Sequence, residues 1–140
     1  MEQGKTIDQL NIGEKASLTK QITESDVFRF AEVTGDKNPI HIDQEYASQT
    51  RFKERIAHGM LTASLISAVI GTRLPGPGNI YVSQSLTFTA PVKLGDVIEA
   101  EVEIIEKIPE RNRVRLRTIC RNQDGAIVID GEAVVLPRRG

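Results

Sequence analysis

Apolar and polar positions recur with two different periods along this chain: after one alternating stretch near the start the helical period prevails as far as Pro75, and period two beyond it. Ala16 to Ile22 alternates and predicts a first strand, after a polar stretch over residues 1 to 13 that reads as a loose lead-in. Val27, Phe30, Ala31 and Thr34 then recur at helical spacing. Thr23 and Asp26 form a capping box before them and Gly35 supplies the C-cap. Pro39 biases Asn38 out of the α region, so Asp36 to His41 is expected to be a turning, non-helical loop. Asp43 then caps a short helix, Gln44 to Thr50. Ala57 to Thr72 is almost wholly apolar or small, with Gly59, Ala63, Ser67 and Gly71 at steps of four, and predicts a helix buried on all sides. Leu74-Pro75-Gly76-Pro77-Gly78 breaks it.

Everything beyond the break alternates with period two. Ile80, Val82, Leu86 and Phe88 alternate against Tyr81, Ser83, Ser85 and Thr87, and Leu94-Gly95-Asp96 turns the chain. Ile98 to Ile104 and Val114 to Cys120 predict a hairpin about Pro109 to Asn112, with Glu99, Glu101 and Glu103 facing Arg113, Arg115 and Arg117 on one solvated face. Asn122-Gln123-Asp124-Gly125 is a further turn, and Ala126 to Leu136 a last strand with Gly131 as an expected bulge. One all-apolar helix with a five-stranded antiparallel sheet wrapped round it accommodates every segment. This is an α+β architecture of the hot dog type, filling residues 1 to 140 as one domain. Such a sheet keeps open edges, so a homodimer is expected.

Composition narrows the function classes. Lys plus Arg number 18 against 19 Asp plus Glu, a net charge of −1, so no global field draws the chain to nucleic acid or an anionic membrane. The single cysteine, Cys120, precludes an internal disulfide and a cysteine-rich metal site, and suits a reducing cytoplasm. The most apolar stretch, Ile56 to Ile70, falls short of the roughly 20 residues of a membrane span.

The candidate chemistry lies between Phe30 and Thr72. Asp36 and His41 stand five residues apart, and His58-Gly59 opens the long helix. Taken singly, an Asp before Asn-Pro is a turn former and a lone His a packing residue. Together they supply a proton acceptor, a proton donor and a helix N-terminal N–H for a developing oxyanion. A metal carries little weight, because Asp36, His41 and His58 lack a tight ligand spacing. No phosphate-binding or dinucleotide glycine loop is present, Gly76-Pro77-Gly78 following a helix rather than a strand, and Ser64 and Ser67 lack a nucleophile elbow.

The run Phe30-Ala31-Glu32-Val33-Thr34-Gly35-Asp36-Lys37-Asn38-Pro39-Ile40-His41, followed by Ala47, resembles the hydratase 2 motif of the MaoC-like family. His58-Gly59-Met60, Leu74-Pro75-Gly76, Phe88-Thr89-Ala90-Pro91-Val92 and Gly95-Asp96 extend the likeness over nearly the whole chain, nearest to the short (R)-specific enoyl-CoA hydratases that feed polyhydroxyalkanoate synthesis. The resemblance implies reversible hydration of trans-2-enoyl-CoA to (R)-3-hydroxyacyl-CoA without a cofactor. Asp36 and His41 would be the catalytic dyad, the Gly59 N–H the oxyanion donor and Ser67 a neighbour of the dyad, with Asn38 and His58 as supporting residues. Ile70 and Val135 would limit the acyl chain to short lengths. A 3-hydroxyacyl carrier-protein dehydratase, a thioesterase and a non-catalytic acyl-thioester-binding module are the competing readings. Retention of both Asp36 and His41 weighs against the binding module.

Overall fold

A computed structural model describes residues 2–140. Strand β1 (Lys15–Gln21) leads into α1 (Glu24–Thr34), two short helices α2 (Pro39–Ile42) and α3 (Gln44–Ser48), and the long α4 (Gly59–Thr72). The rest is sheet: β2 (Ile80–Gln84), β3 (Thr87–Phe88), β4 (Val97–Ile108), β5 (Arg113–Arg121) and β6 (Ile127–Leu136). All pairings are antiparallel in the order β1-β4-β5-β6-β2, and β3 also pairs with β6. Five strands were expected and six form, because the Ile80 to Phe88 segment is interrupted between Gln84 and Thr87. The fold is the hot dog expected from the alternation.

Packing follows the pattern. Ile98, Ala100, Val102 and Ile104 of β4 and Val114, Leu116 and Cys120 of β5 point inward against Leu65, Ile66, Val69 and Ile70 of α4. The outer face carries ion pairs, Arg115 to Glu106 at 2.8 Å, Arg121 to Glu99 at 3.6 Å and Arg117 to Asp130 of β6 at 3.6 Å. Solvent screening limits each to about 0–1 kcal/mol.

The capping box of α1 forms as read: Asp26 N–H donates to Thr23 Oγ1 at 3.1 Å, the Thr23 N–H donates to Asp26 Oδ2 at 2.9 Å, and Gly35 closes the helix at φ 81°.

Five local expectations are corrected. The lead-in is anchored, not loose: Leu10 is fully buried after a 3₁₀ turn, Ile7–Gln9. The segment after Asp36 is helical from Pro39, which occupies the first helical position, where its missing N–H and fixed φ favour a helix start. Asn38 caps this turn by accepting the Ile40 N–H at 3.3 Å. Helix α4 is buried on one side only, since Met60, Ser64 and Ser67 form an exposed stripe. Ile80, Tyr81, Val82 and Phe88 are exposed despite their alternation, because β2 and β3 lie at the sheet edge. Gly131 is in register opposite Thr118 rather than bulged, the β5–β6 irregularity falling at Cys120/Arg121. Its lack of a side chain serves close approach: a β-carbon there would sit 1.9 Å from the Ser85 carbonyl oxygen.

Candidate active site

The αL turn at Gly35 throws Asp36 clear of α1. The Asp36 N–H donates to Thr34 Oγ1 at 3.1 Å, and its Oδ1 accepts the Asn38 N–H at 3.3 Å, an Asx turn that sets the exposed carboxylate. Helix α2 then carries His41 inward, where it is buried. His41 Nδ1 lies 2.7 Å from the Ile56 carbonyl oxygen, and His58 Nε2 lies 2.9 Å from that of Asp36. A carbonyl only accepts, so each of these nitrogens carries the proton. His41 is left with a free lone pair on Nε2 and His58 with one on Nδ1, which is buried and unpartnered.

The two imidazoles stack with centroids 4.0 Å apart, and Phe30 packs on His58 at 4.7 Å. Burial, the largest influence, holds the His41 pKa below its ordinary value and His58 adds to the effect. The Ile56 bond and the Asp36 carboxylate pull it upward. His41 is thus a neutral base at neutral pH.

His58 is the N-cap of α4, but its side chain turns to Asp36 and makes no capping bond. The Gly59 N–H therefore opens the helix uncapped, at the positive end of its dipole. A β-carbon at Gly59 would stand 2.6 Å from Phe88 Cε1, so glycine lets the ring lie against the first turn.

These groups share one cavity of about 460 Å³. Asp36, His41, His58 and Gly59 line it together with Thr62, Phe88, Val128 and Ile129, as does the stretch Thr89 to Val92. Thr62, Val128 and Ile129 are buried members of its lining, as are His41, Ala57, His58 and Val92, and the exposed members Asp36, Arg51, Met60 and Phe88 mark its opening. Ligand atoms of Asp36, His41 and His58 all lie within 4.8 Å of one another, a spacing within which a metal ion could be held.

The structure thus joins Asp36, His41, His58 and Gly59. Asn38 acts from outside the wall through its backbone N–H and its cap. Ser67 sits on the exposed stripe, and Ile70 and Val135 lie in the core; none of the three lines the cavity. Sequence reading did not single out Phe52, Thr62, Val128 or Ile129. Thr62 stands four residues after His58, on the same helical face, which was the available signal.

The model of the MaoC-like domain family matches residues 9–122. The chain belongs to the MaoC-like family. Among solved MaoC-like relatives, an unliganded (R)-hydratase of Pseudomonas aeruginosa superposes with a TM-score of 0.93 at 52% identity, covering 98% of this chain and 88% of that one. The (R)-specific enoyl-CoA hydratase of Rhodospirillum rubrum is 54% identical over 129 residues, 91% of this chain and 89% of the relative. A 3-hydroxybutyryl-CoA dehydratase of Methylorubrum extorquens is 55% identical over 128 residues, 91% of this chain and 81% of the relative.

Proposed function

We propose that this chain is a hydro-lyase that adds water reversibly to trans-2-enoyl-CoA, giving (R)-3-hydroxyacyl-CoA. The observation that carries the reading is the neutral His41, its Nε2 lone pair free, beside the Asp36 carboxylate in a cavity that also holds the uncapped N-terminus of α4. The R configuration and the CoA carrier rest on likeness to the (R)-hydratases.

In the hydration direction, water lies between the Asp36 carboxylate and His41 Nε2. His41 takes a proton as the water oxygen bonds to C3, and the C2–C3 π electrons move onto the thioester oxygen as an enolate. The Gly59 N–H meets that oxygen, stabilising charge that exists only in the transition state and intermediate. Asp36 stabilises the imidazolium, which returns its proton to C2. One water is consumed, both its fragments add, and the base is regenerated.

Short acyl chains are the expected substrates, supported by a 3-hydroxybutyryl-CoA dehydratase among the relatives and by the buried Thr62, Val128 and Ile129 in the cavity lining. The working unit is a homodimer, supported by the exposed apolar edge of Ile80, Tyr81, Val82 and Phe88. A cytoplasmic location suits the free, buried Cys120, and among the described residues no helix is long and apolar enough to cross a membrane.

The experiment is the loss of enone absorbance from crotonyl-CoA with chiral analysis of the product. (R)-3-hydroxybutyryl-CoA supports the reading. Free thiol without hydration would make the chain a thioesterase, and turnover confined to the carrier-protein thioester would make it a carrier-protein dehydratase.

A further inference from the structure

We infer that Arg51 is the phosphate-binding residue of this site, pairing with a phosphate on the carrier arm of the thioester; this rests on the hydratase reading above. Among the described residues, Arg51 is the one Lys or Arg that lines the catalytic cavity. The rest of that lining is mostly apolar, Phe52, Ile56, Met60, Phe88, Pro91 and Val92 included, so Arg51 is the one cation it offers an anion.

Arg55, Arg115, Arg117 and Arg121 each meet a carboxylate, whereas no carboxylate among the described residues meets Arg51. The guanidinium instead lies over the Phe52 ring, 4.7 Å from its centroid. That stacking holds the fork in place while leaving its N–H donors free, the arrangement suited to bidentate recognition of a phosphate.

The segment bearing it is built and tied to the catalytic groups. Thr50 Oγ1 donates to the Ala47 carbonyl at 2.7 Å and accepts the Phe52 N–H at 3.3 Å, and the Lys53 N–H returns to the Thr50 carbonyl at 3.1 Å. A few residues on, Ile56 bonds both His41 and the Ile40 carbonyl. Arg51 is exposed at the opening, while the groups assigned to the thioester are further in. An enoyl thioester carries no charge at its reacting end. The anions it brings are the diphosphate and 3′-phosphate of coenzyme A, or the phosphodiester of a carrier-protein arm.

The test measures kcat/KM for wild type, Arg51→Gln, Arg51→Glu and Arg51→Lys with crotonyl thioesters of coenzyme A, dephospho-coenzyme A, 4′-phosphopantetheine and N-acetylcysteamine, the last having no phosphate. Arg51→Gln is expected to lower the ratio of kcat/KM for the coenzyme A thioester to that for the N-acetylcysteamine thioester about tenfold, through KM. Arg51→Glu lowers it further and Arg51→Lys restores part of it. The carrier at which the effect disappears identifies the phosphate.

An unchanged ratio in Arg51→Gln overturns the inference, as does an equal loss on both thioesters, which would make Arg51 merely structural. Calorimetry with coenzyme A and pantetheine reads the same difference without turnover: about tenfold weaker binding of coenzyme A alone in Arg51→Gln supports it, and equal binding overturns it. Failure of wild type to hydrate even the N-acetylcysteamine thioester would count against the hydratase reading and leave this binding result standing.

Discussion

His58 Nε2 donates to the backbone carbonyl of Asp36 at 2.9 Å, so the residue that opens the long helix also fixes the loop bearing the carboxylate. The same ring stacks on His41 at 4.0 Å. One side chain thereby sets the relative placement of Asp36 and His41.

Replacing it should separate positioning from packing. His58→Leu removes the donor and leaves the Asp36 carbonyl without it, so kcat should fall and stability should drop by about 1–3 kcal/mol. His58→Gln retains an N–H donor and should recover part of the rate. Urea unfolding and steady-state rates on crotonyl-CoA check this, and equal rates for the two variants would remove the positioning role.

The His41 pKa makes a pH prediction. Burial first, aided by His58, holds it below the ordinary 6.5, so the acid limb of kcat/KM should lie below pH 6.5. The unfolded chain takes up a proton at the ordinary value while the folded chain resists it. His41 therefore contributes stability that is present above about pH 6.5 and is lost as pH falls toward the lowered folded value. Asp36→Asn removes an upward pull and should shift the titration further to acid. With two histidines in the chain, NMR titration against His58→Gln resolves His41; an acid limb above pH 6.5 would contradict the assignment.

Edge pairing should depend on β2. Val82 and Tyr81 are exposed apolar residues on an open strand, so Val82→Asp should favour the monomer. Sedimentation velocity at micromolar concentration reads the change. A wild-type protein that is monomeric and active would argue against the homodimer.

Acyl-chain length tests two walls. The family resemblance implies Ile70, whereas the cavity is lined by Thr62, Val128 and Ile129 and not by Ile70. Ile129→Ala should shift relative kcat/KM from crotonyl- toward hexenoyl-CoA, each admitted methylene contributing up to about 0.8 kcal/mol. Ile70→Ala empties a core site and should cost about 2–5 kcal/mol of stability with a smaller shift. A larger shift in folded Ile70→Ala would return the wall to Ile70.

Much of this architecture was legible in local pattern. Thr23, Asp26 and Gly35 mark both ends of α1 because capping is a short-range property, and the β4–β5 hairpin follows from alternation around Pro109. Asp36, His41 and Gly59 were singled out by residue type and spacing, and the fold brings the three to one cavity. What was not legible depends on distant partners. Leu10 is buried only because the lead-in docks on the folded body, and the Gly131 contact requires Ser85 to cross over it. Val128 and Ile129 reach the cavity through sheet pairing, which no local period encodes. Pro39 was readable either as a breaker or as a helix start, and the Asn38 cap decided for the start.

The central claim is that Asp36 and His41 together activate water for addition to an enoyl thioester. The most direct measurement is the hydration rate of crotonyl-CoA, with chiral analysis of the product, for wild type, Asp36→Asn and His41→Ala, each verified as folded. The account predicts (R)-3-hydroxybutyryl-CoA from wild type and losses of about 10²- to 10⁴-fold in each variant. Near-normal hydration by either folded variant, or absence of hydration by wild type, would contradict it.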